Sequence, residues 1–202
     1  MSILQALDYF GVFVFAISGI SAAAGRQIDL FGGVIIAFVT ALGGGTIRDI
    51  LLKADIAWMH DTTYLYTVIT ASILTLLFQK HVIKLRKSLF FFDSLGIGLF
   101  TIVGLQKSLA LDFPIETSII LGVVSATFGG VVRDILCGEI PLLFRKEIYG
   151  TACLLGAIVY VFLSWIQIDQ QANLIISILI IFIIRLIAVY SKVSMPIIND
   201  KY

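Results

Sequence analysis

Seven long apolar stretches follow one another along the chain: Leu4–Ala24, Leu30–Leu52, Thr62–Gln79, Leu89–Ala110, Ile115–Cys137, Ile148–Ile166 and Ala172–Tyr190. A helix needs about 20 mostly apolar residues to cross roughly 30 Å of hydrocarbon. Each stretch is continuously apolar rather than alternating, which fits helices and not the strands of an outer-membrane barrel. The stretches use most of the 202 residues, so the chain reads as one membrane domain, 1–202, with only short connections. Only 13% of the residues are charged, about half the share found in soluble domains. The expected fold class is an all-α polytopic membrane protein with seven transmembrane helices.

The same scarcity excludes several functions. Fourteen Lys and Arg against 13 Asp and Glu give a net charge of +1, with no basic surplus for nucleic acid. Cys137 and Cys153 lie in apolar runs without metal-ligand spacing and read as inert core thiols. His60 and His81 fall in polar connections. No phosphate-binding loop, zinc-protease helix or nucleophile elbow is present. The chain is therefore expected not to be an enzyme, and to need no metal or cofactor.

Basic residues set an orientation. One side collects Arg26, then Lys80, Lys84, Arg86 and Lys87, then Arg145 and Lys146, and Lys192 and Lys201 in the tail; the other has Lys53 and Lys107. The positive-inside rule places the N-terminus outside and the C-terminus in the cytoplasm. Ala22-Ala23-Ala24 resembles a signal-peptidase site, but no base precedes the first span and Asp8 lies within it, so a retained helix is expected.

The chain matches itself without a gap at one fixed offset, the one that carries Asp8 onto Asp93, as an internal repeat should. At that offset Gly11 falls on Gly96, Phe15 on Phe100 and Gly19 on Gly104, and Gly44-Gly45-Thr46-Ile47-Arg48-Asp49-Ile50-Leu51 on Gly129-Gly130-Val131-Val132-Arg133-Asp134-Ile135-Leu136. The repeats cover about 4–80 and 89–166. Each holds three spans, an odd number, so the second copy should be inverted in the membrane. The extra helix, about 172–190, is left for packing or oligomerisation.

The second and fifth spans carry the unusual residues. Gly43, Gly44 and Gly45, and Gly129 and Gly130, interrupt apolar helices. Close packing is one reading, because Ala37, Ala41 and Gly45, and Gly122, Ala126 and Gly130, recur at four-residue spacing. Bending is another, and a broken helix would free carbonyls for a cation. On an adjacent face Thr40, Gly44 and Arg48 share a stripe, as do Ser125, Gly129 and Arg133. Charges at this depth cost several kcal/mol unless paired or hydrated. As sequence neighbours, Arg48 and Asp49 should point to different faces and not neutralise each other. Asp49 and Asp134 are expected to reach other helices, and Asp8 and Asp93 to be partners for the arginines. Lys107 and Arg185 are expected to snorkel to the surface.

Two inverted three-helix repeats plus a seventh helix, with GGGTIRD and FGGVVRD on the second and fifth spans, resemble bacterial members of the trimeric intracellular cation (TRIC) channel family. The resemblance covers nearly the whole chain from Asp8. It implies a homotrimer in the cell inner membrane, surrounded by membrane lipids, with one pore per protomer passing monovalent cations, chiefly potassium and also sodium. It also implies that Gly43, Gly44, Gly45, Gly129 and Gly130 bend the pore-lining helices and that Arg48, Asp49, Arg133 and Asp134 hold polar networks beside the pore. Ser125 and Thr127, with Thr40 matching Ser125, are the expected hydroxyl lining. Phe128 departs from the family pattern by replacing the first glycine of the second triplet; it would narrow the pore, gate it or pack outward. Bacterial relatives are also described as glycine transporters, so a secondary transporter of a small amino acid is the alternative, and a purely structural scaffold a third class.

Overall fold

The computed structural model describes residues 3–78, 86–191 and 193–196, without the side chains of 86–88. Among these residues there are seven long helices: α1 Ile3–Ala23, α2 Leu30–Leu51, α3 Thr63–Leu77, α4 Arg86–Leu109, α5 Ile115–Leu136, α6 Gly150–Trp165 and α7 Gln170–Tyr190. Local chemistry fixes several ends. The Asp29 carboxylate accepts from the Gly32 N–H at 2.7 Å and caps α2, and Asp169 caps α7 by accepting from Gln171 and Ala172. Side-chain caps of this kind satisfy donors that a helix start leaves unpaired. Pro114 sits at the N-cap of α5.

Five of the helices, α1, α2, α4, α5 and α7, are long and apolar enough to cross a membrane. The other two, α3 and α6, are apolar but shorter, with 15 and 16 residues. At 1.5 Å per residue each rises only about 22–24 Å. The connections before them supply further packing. A one-turn helix, Ala57–His60, precedes α3, and a 3-10 turn, Leu142–Phe144, precedes α6. Ala57 and Trp58 pack on the core, and Leu142 is buried in it. The stretches Thr62–Gln79 and Ile148–Ile166 run past these helices only at their ends, because apolar composition does not mark where a helix stops; Gln79 lies outside the described residues.

Helix α1 packs on α2, α3 and α4, while α4 packs on α1, α5, α6 and α7. Phe15 of α1 and Phe100 of α4 stack at 5.1 Å between centroids. Each ring lies where the opposite helix has a glycine: a Cβ on Gly96 would collide with Phe15, and one on Gly11 would meet Phe100 at 3.0 Å. The contact made by one repeat position is thus returned by its counterpart in the other repeat.

Arg26, between α1 and α2, donates to the Cys137 carbonyl at 2.5 Å and to Glu139 at 3.0 Å, and Arg145 donates to Glu139 at 2.9 Å. This gathers two of the basic connections at one end of the bundle and shows α2 and α5 to be antiparallel, since the start of one adjoins the end of the other. Lys80, His81, Lys84, Lys192 and Lys201 lie outside the described residues, as do the side chains of Arg86 and Lys87. Hydrogen bonding and charge from Arg26 hold the Glu139 carboxyl below the usual range. A carboxylate with a lowered folded-state value stabilises the fold at higher pH, and that contribution is lost as pH falls through the lowered value. Glu139→Gln is therefore expected to lower the melting temperature at neutral pH and to match the parent in strong acid, read from melts across pH.

Candidate functional site

The centre of the molecule is the crossing of α2 and α5. A Cβ on Gly44 would collide with the Ser125 carbonyl oxygen, and one on Gly129 with the Thr40 carbonyl oxygen. The two contacts are exchanged by the repeat offset, and they bring backbone directly against backbone. Gly43 and Gly45 are different: a Cβ there would find its nearest neighbour at 3.6 and 3.7 Å, an ordinary contact. Both helices run unbroken through their glycines. In this conformation Gly44 and Gly129 serve close approach, and no helix break supplies carbonyls there. Ala37 packs instead against Gly19, and Gly122 against the Thr101 carbonyl, so the Ala37/Ala41 and Gly122/Ala126 stripes face α1 and α4.

One turn beyond the crossing, at about 6 Å of helical rise on either side, lie the two arginines, at opposite ends of the antiparallel pair. Arg48 donates through Nε to Asp49 Oδ1 at 2.8 Å and through Nη1 to the Ser125 hydroxyl at 3.4 Å. Lys107 of α4 reaches the same Asp49 oxygen at 2.8 Å. The other Asp49 oxygen accepts from the Ala57 N–H at 3.4 Å. Asp8 accepts from the Tyr64 hydroxyl at 2.7 Å. Asp8, Arg48, Asp49, Ala57 and Tyr64, with Gly45, Thr46 and Trp58, border a cavity of about 20 Å³, room for about one water.

At the other end Arg133, 0% exposed, donates to Asp134 at 2.8 Å, to the Ser18 hydroxyl at 2.7 Å and to Asp93 at 2.5 Å. Asp134 accepts from the Leu142 N–H at 2.9 Å, and Asp93 from the Tyr149 hydroxyl at 3.4 Å. Ala57 and Leu142, and Tyr64 and Tyr149, are again counterparts at the repeat offset. The two sites are the same design with different fillings. Lys107 has Ala22 as its counterpart, so only the Arg48 site gains a second cation. Ser18 has Val103, so only Arg133 finds a hydroxyl on α1. With Asp49 shared between two cations, Asp8 turns to Tyr64, whereas Asp93 pairs with Arg133 itself.

Three expectations are corrected. Arg48 and Asp49, and Arg133 and Asp134, do neutralise each other as neighbours. Adjacent residues leave a helix about 100° apart, but an arginine stem is long enough to wrap back over that angle. Lys107 does not snorkel: its side chain is only 28% exposed and bonds Asp49. Arg185 is 0% exposed, with Nη1 donating to the Ile148 carbonyl at 2.7 Å. The expectation that Asp93 partners an arginine holds, while Asp8 takes Tyr64 instead. The Thr40 and Thr127 hydroxyls are buried and return to the Ile36 and Val123 carbonyls, one turn back in their own helices. Phe128 is 37% exposed. Ser18, Trp58, Tyr64 and Tyr149 were not singled out from sequence. The Tyr64/Tyr149 match and the Lys107/Ala22 mismatch at the repeat offset are the signals that would have found this end of the network.

Apolar helices enclosing fully buried Arg–Asp pairs define a polytopic all-helical membrane protein with its polar machinery inside. A family model described as glycine transporter matches residues 5–80 and again 90–165. A UPF0126 membrane protein of Vibrio cholerae is 35% identical over 197 residues, 96% of this chain and 82% of that protein. The UPF0126 inner membrane protein YadS of Escherichia coli K12 is 34% identical, over 94% of this chain and 93% of that one. The crystal structure of the TRIC trimeric intracellular cation channel orthologue from Rhodobacter sphaeroides matches at a TM-score of 0.90 and 31% identity, covering 96% of this chain and 100% of that one. The chain belongs to this family of TRIC-fold, glycine-transporter-domain membrane proteins.

Proposed function

We propose that the protein is a potassium-permeable cation channel of the inner membrane. In this reading it is a homotrimer whose protomers each carry one pore along α2 and α5, built from two inverted three-helix repeats with α7 added. The N-terminus is outside and the C-terminus cytoplasmic. The observation that carries the reading is the α2–α5 crossing flanked by two repeat-related ionic sites, in a chain that matches a cation channel orthologue along nearly its whole length. The exchange of the Gly44–Ser125 and Gly129–Thr40 contacts supports the inverted repeat. The conformation described is then a closed one, because the helices touch backbone to backbone midway between the sites.

The acidic groups supply what a cation needs, and the basic groups close the path. Asp49 is covered by Arg48 and Lys107 and is unavailable to a passing ion. Opening requires one of these to leave, after which carboxylate and hydroxyl oxygens replace part of the ion's hydration shell. Lys107 is the better candidate, being partly exposed and bound at a single oxygen. Lys107→Gln is expected to raise potassium current roughly fivefold by uncovering negative charge in the pathway, measured by single-channel recording.

The family description favours a second reading, transport of glycine. Arg48 and Asp8 border one cavity and complement the carboxylate and ammonium of a zwitterion. The cavity of about 20 Å³ is too small for an amino acid in this conformation. Planar-bilayer recording of the purified protein separates the two. Unitary currents reversing near the potassium equilibrium potential support the channel; saturable glycine uptake without such currents overturns it.

A further inference from the structure

Helix α7 has no counterpart in the repeat, yet it carries a fully buried cation. Arg185 donates to the Ile148 carbonyl at 2.7 Å, stands 3.6 Å from the Glu147 carboxylate, and lies 4.8 Å from the centre of the Tyr149 ring. The tail beyond α7 holds the same segment from the other side: the Met195 N–H donates to the Lys146 carbonyl at 2.7 Å, and Glu147 and Ser194 form an isolated antiparallel bridge. Residues 146–149 are thus gripped by α7 and by residues 194 and 195 beyond it. The end of that segment is Tyr149, whose hydroxyl donates to Asp93, the partner of Arg133.

The repeat-related segment, 61–64, is held differently. Asp61 accepts from Tyr9 of α1, and the Tyr9 and Tyr64 rings pack at 4.8 Å; no arginine lies against Tyr64 among the described ring contacts. Formal charge differs too. Arg48 and Lys107 balance Asp8 and Asp49, whereas Arg133 alone faces Asp93 and Asp134. Arg185, across the Tyr149 ring, adds a cation on this side, and it comes with its own acid, Glu147. Its pairing is incomplete, since Arg185 Nε and Nη2 and the Glu147 carboxylate oxygen facing them lack hydrogen-bond partners among the described residues. A half-satisfied buried pair adds little stability, so stability alone does not account for the residue.

We propose that α7 is a latch on the Arg133 end of the α2–α5 pair, with Arg185 as the positioning residue that keeps Tyr149 seated over Asp93. The Arg48 end, which has the cavity and no such latch, opens first. Release of Arg185 lets residues 146–149 move and exposes the Arg133 site. The gating consequence rests on the channel reading; the latch itself does not.

The full-length protein offers its own reporter. Cys153 is buried one turn beyond Tyr149, its N–H donating to the Tyr149 carbonyl at 3.4 Å. In liposomes, with Cys137→Ser leaving Cys153 as the one thiol, labelling is followed with 2-aminoethyl methanethiosulfonate. Arg185→Gln is expected to label about tenfold faster, the size of an ordinary coupling between two sites, and Arg185→Lys to return toward the parent. Tyr149→Phe keeps the ring and removes the hydroxyl, and is expected to speed labelling as well; it carries the test where Arg185→Gln fails to fold. A second reporter, Ala57→Cys without the native thiols, samples the Arg48 end and should be unaffected by Arg185→Gln. Labelling of Cys153 at the parental rate overturns the latch, and so does equal acceleration at both reporters, which marks general loosening. Accelerated Cys153 labelling in a protein that passes no potassium supports the latch and rejects the channel.

Discussion

Alanine at position 44 is expected to destabilise the protein by about 1–3 kcal/mol, the range for overpacking a tight contact. Alanine at positions 43 and 45 should instead be neutral or stabilising by about 0.5–1 kcal/mol, the usual gain over glycine within a helix. The contrast follows from what each new methyl meets. At Gly44 it strikes the Ser125 carbonyl oxygen, part of an unbroken helix that has no rotamer by which to yield. At Gly45 the nearest atom is the end of the Arg48 side chain at 3.7 Å, and at Gly43 it is a Val39 methyl at 3.6 Å. Gly129→Ala should repeat the Gly44 result through the Thr40 carbonyl. Melting temperatures of the purified variants in one detergent, with oligomeric state checked by elution, decide the matter. If the glycines acted mainly by softening α2 for bending, as the family resemblance implies, the three substitutions would perturb the protein alike. Equal loss at 43, 44 and 45 would refute the close-approach account.

Much of this arrangement was legible because the repeat offset aligns residue types that apolar bias does not produce. Gly11 and Gly96 face Phe100 and Phe15, and Gly44 and Gly129 face the Ser125 and Thr40 carbonyls, contacts that the offset exchanges. What stayed hidden depends on reach and on exceptions. Spacing alone gives the direction in which a side chain leaves a helix, not how far it bends back, so the Arg48–Asp49 and Arg133–Asp134 pairs were missed. Apolar length overstated α3 and α6 by a few residues at their ends, because an apolar run does not mark where the helix stops. Single charges near span ends suggested snorkelling, but Lys107 and Arg185 have inward partners from other helices, which a one-dimensional reading does not bring near. The close contact of Gly44 with the Ser125 carbonyl is likewise a property of the crossing and not of the glycine triplet.

The difference between the two ionic sites leads to the other large effect. Arg133→Ala leaves Asp93 and Asp134 buried without their shared cation, and is expected to cost about 3–5 kcal/mol, the usual result of removing one member of a buried pair. Arg48→Ala should cost distinctly less, because Lys107 remains 2.8 Å from Asp49 and Asp8 is already satisfied by Tyr64. The two losses therefore separate sites that the repeat makes formally equivalent. Pairing Arg133→Met with Asp93→Asn tests the cause, since neutralising both members removes the stranded charge. The double variant should recover part of the loss, with a coupling of about 1–3 kcal/mol. Asp134 retains its Leu142 N–H at 2.9 Å in every case, which keeps the connection before α6 in place and the variants comparable. Additive effects would show that Arg133 acts through packing rather than through Asp93. On the proposed channel reading, potassium current then separates gating from packing. A double variant that regains stability yet conducts abnormally places Arg133 in gating, whereas normal conduction in that variant confines the pair to holding α1, α4 and α5 together.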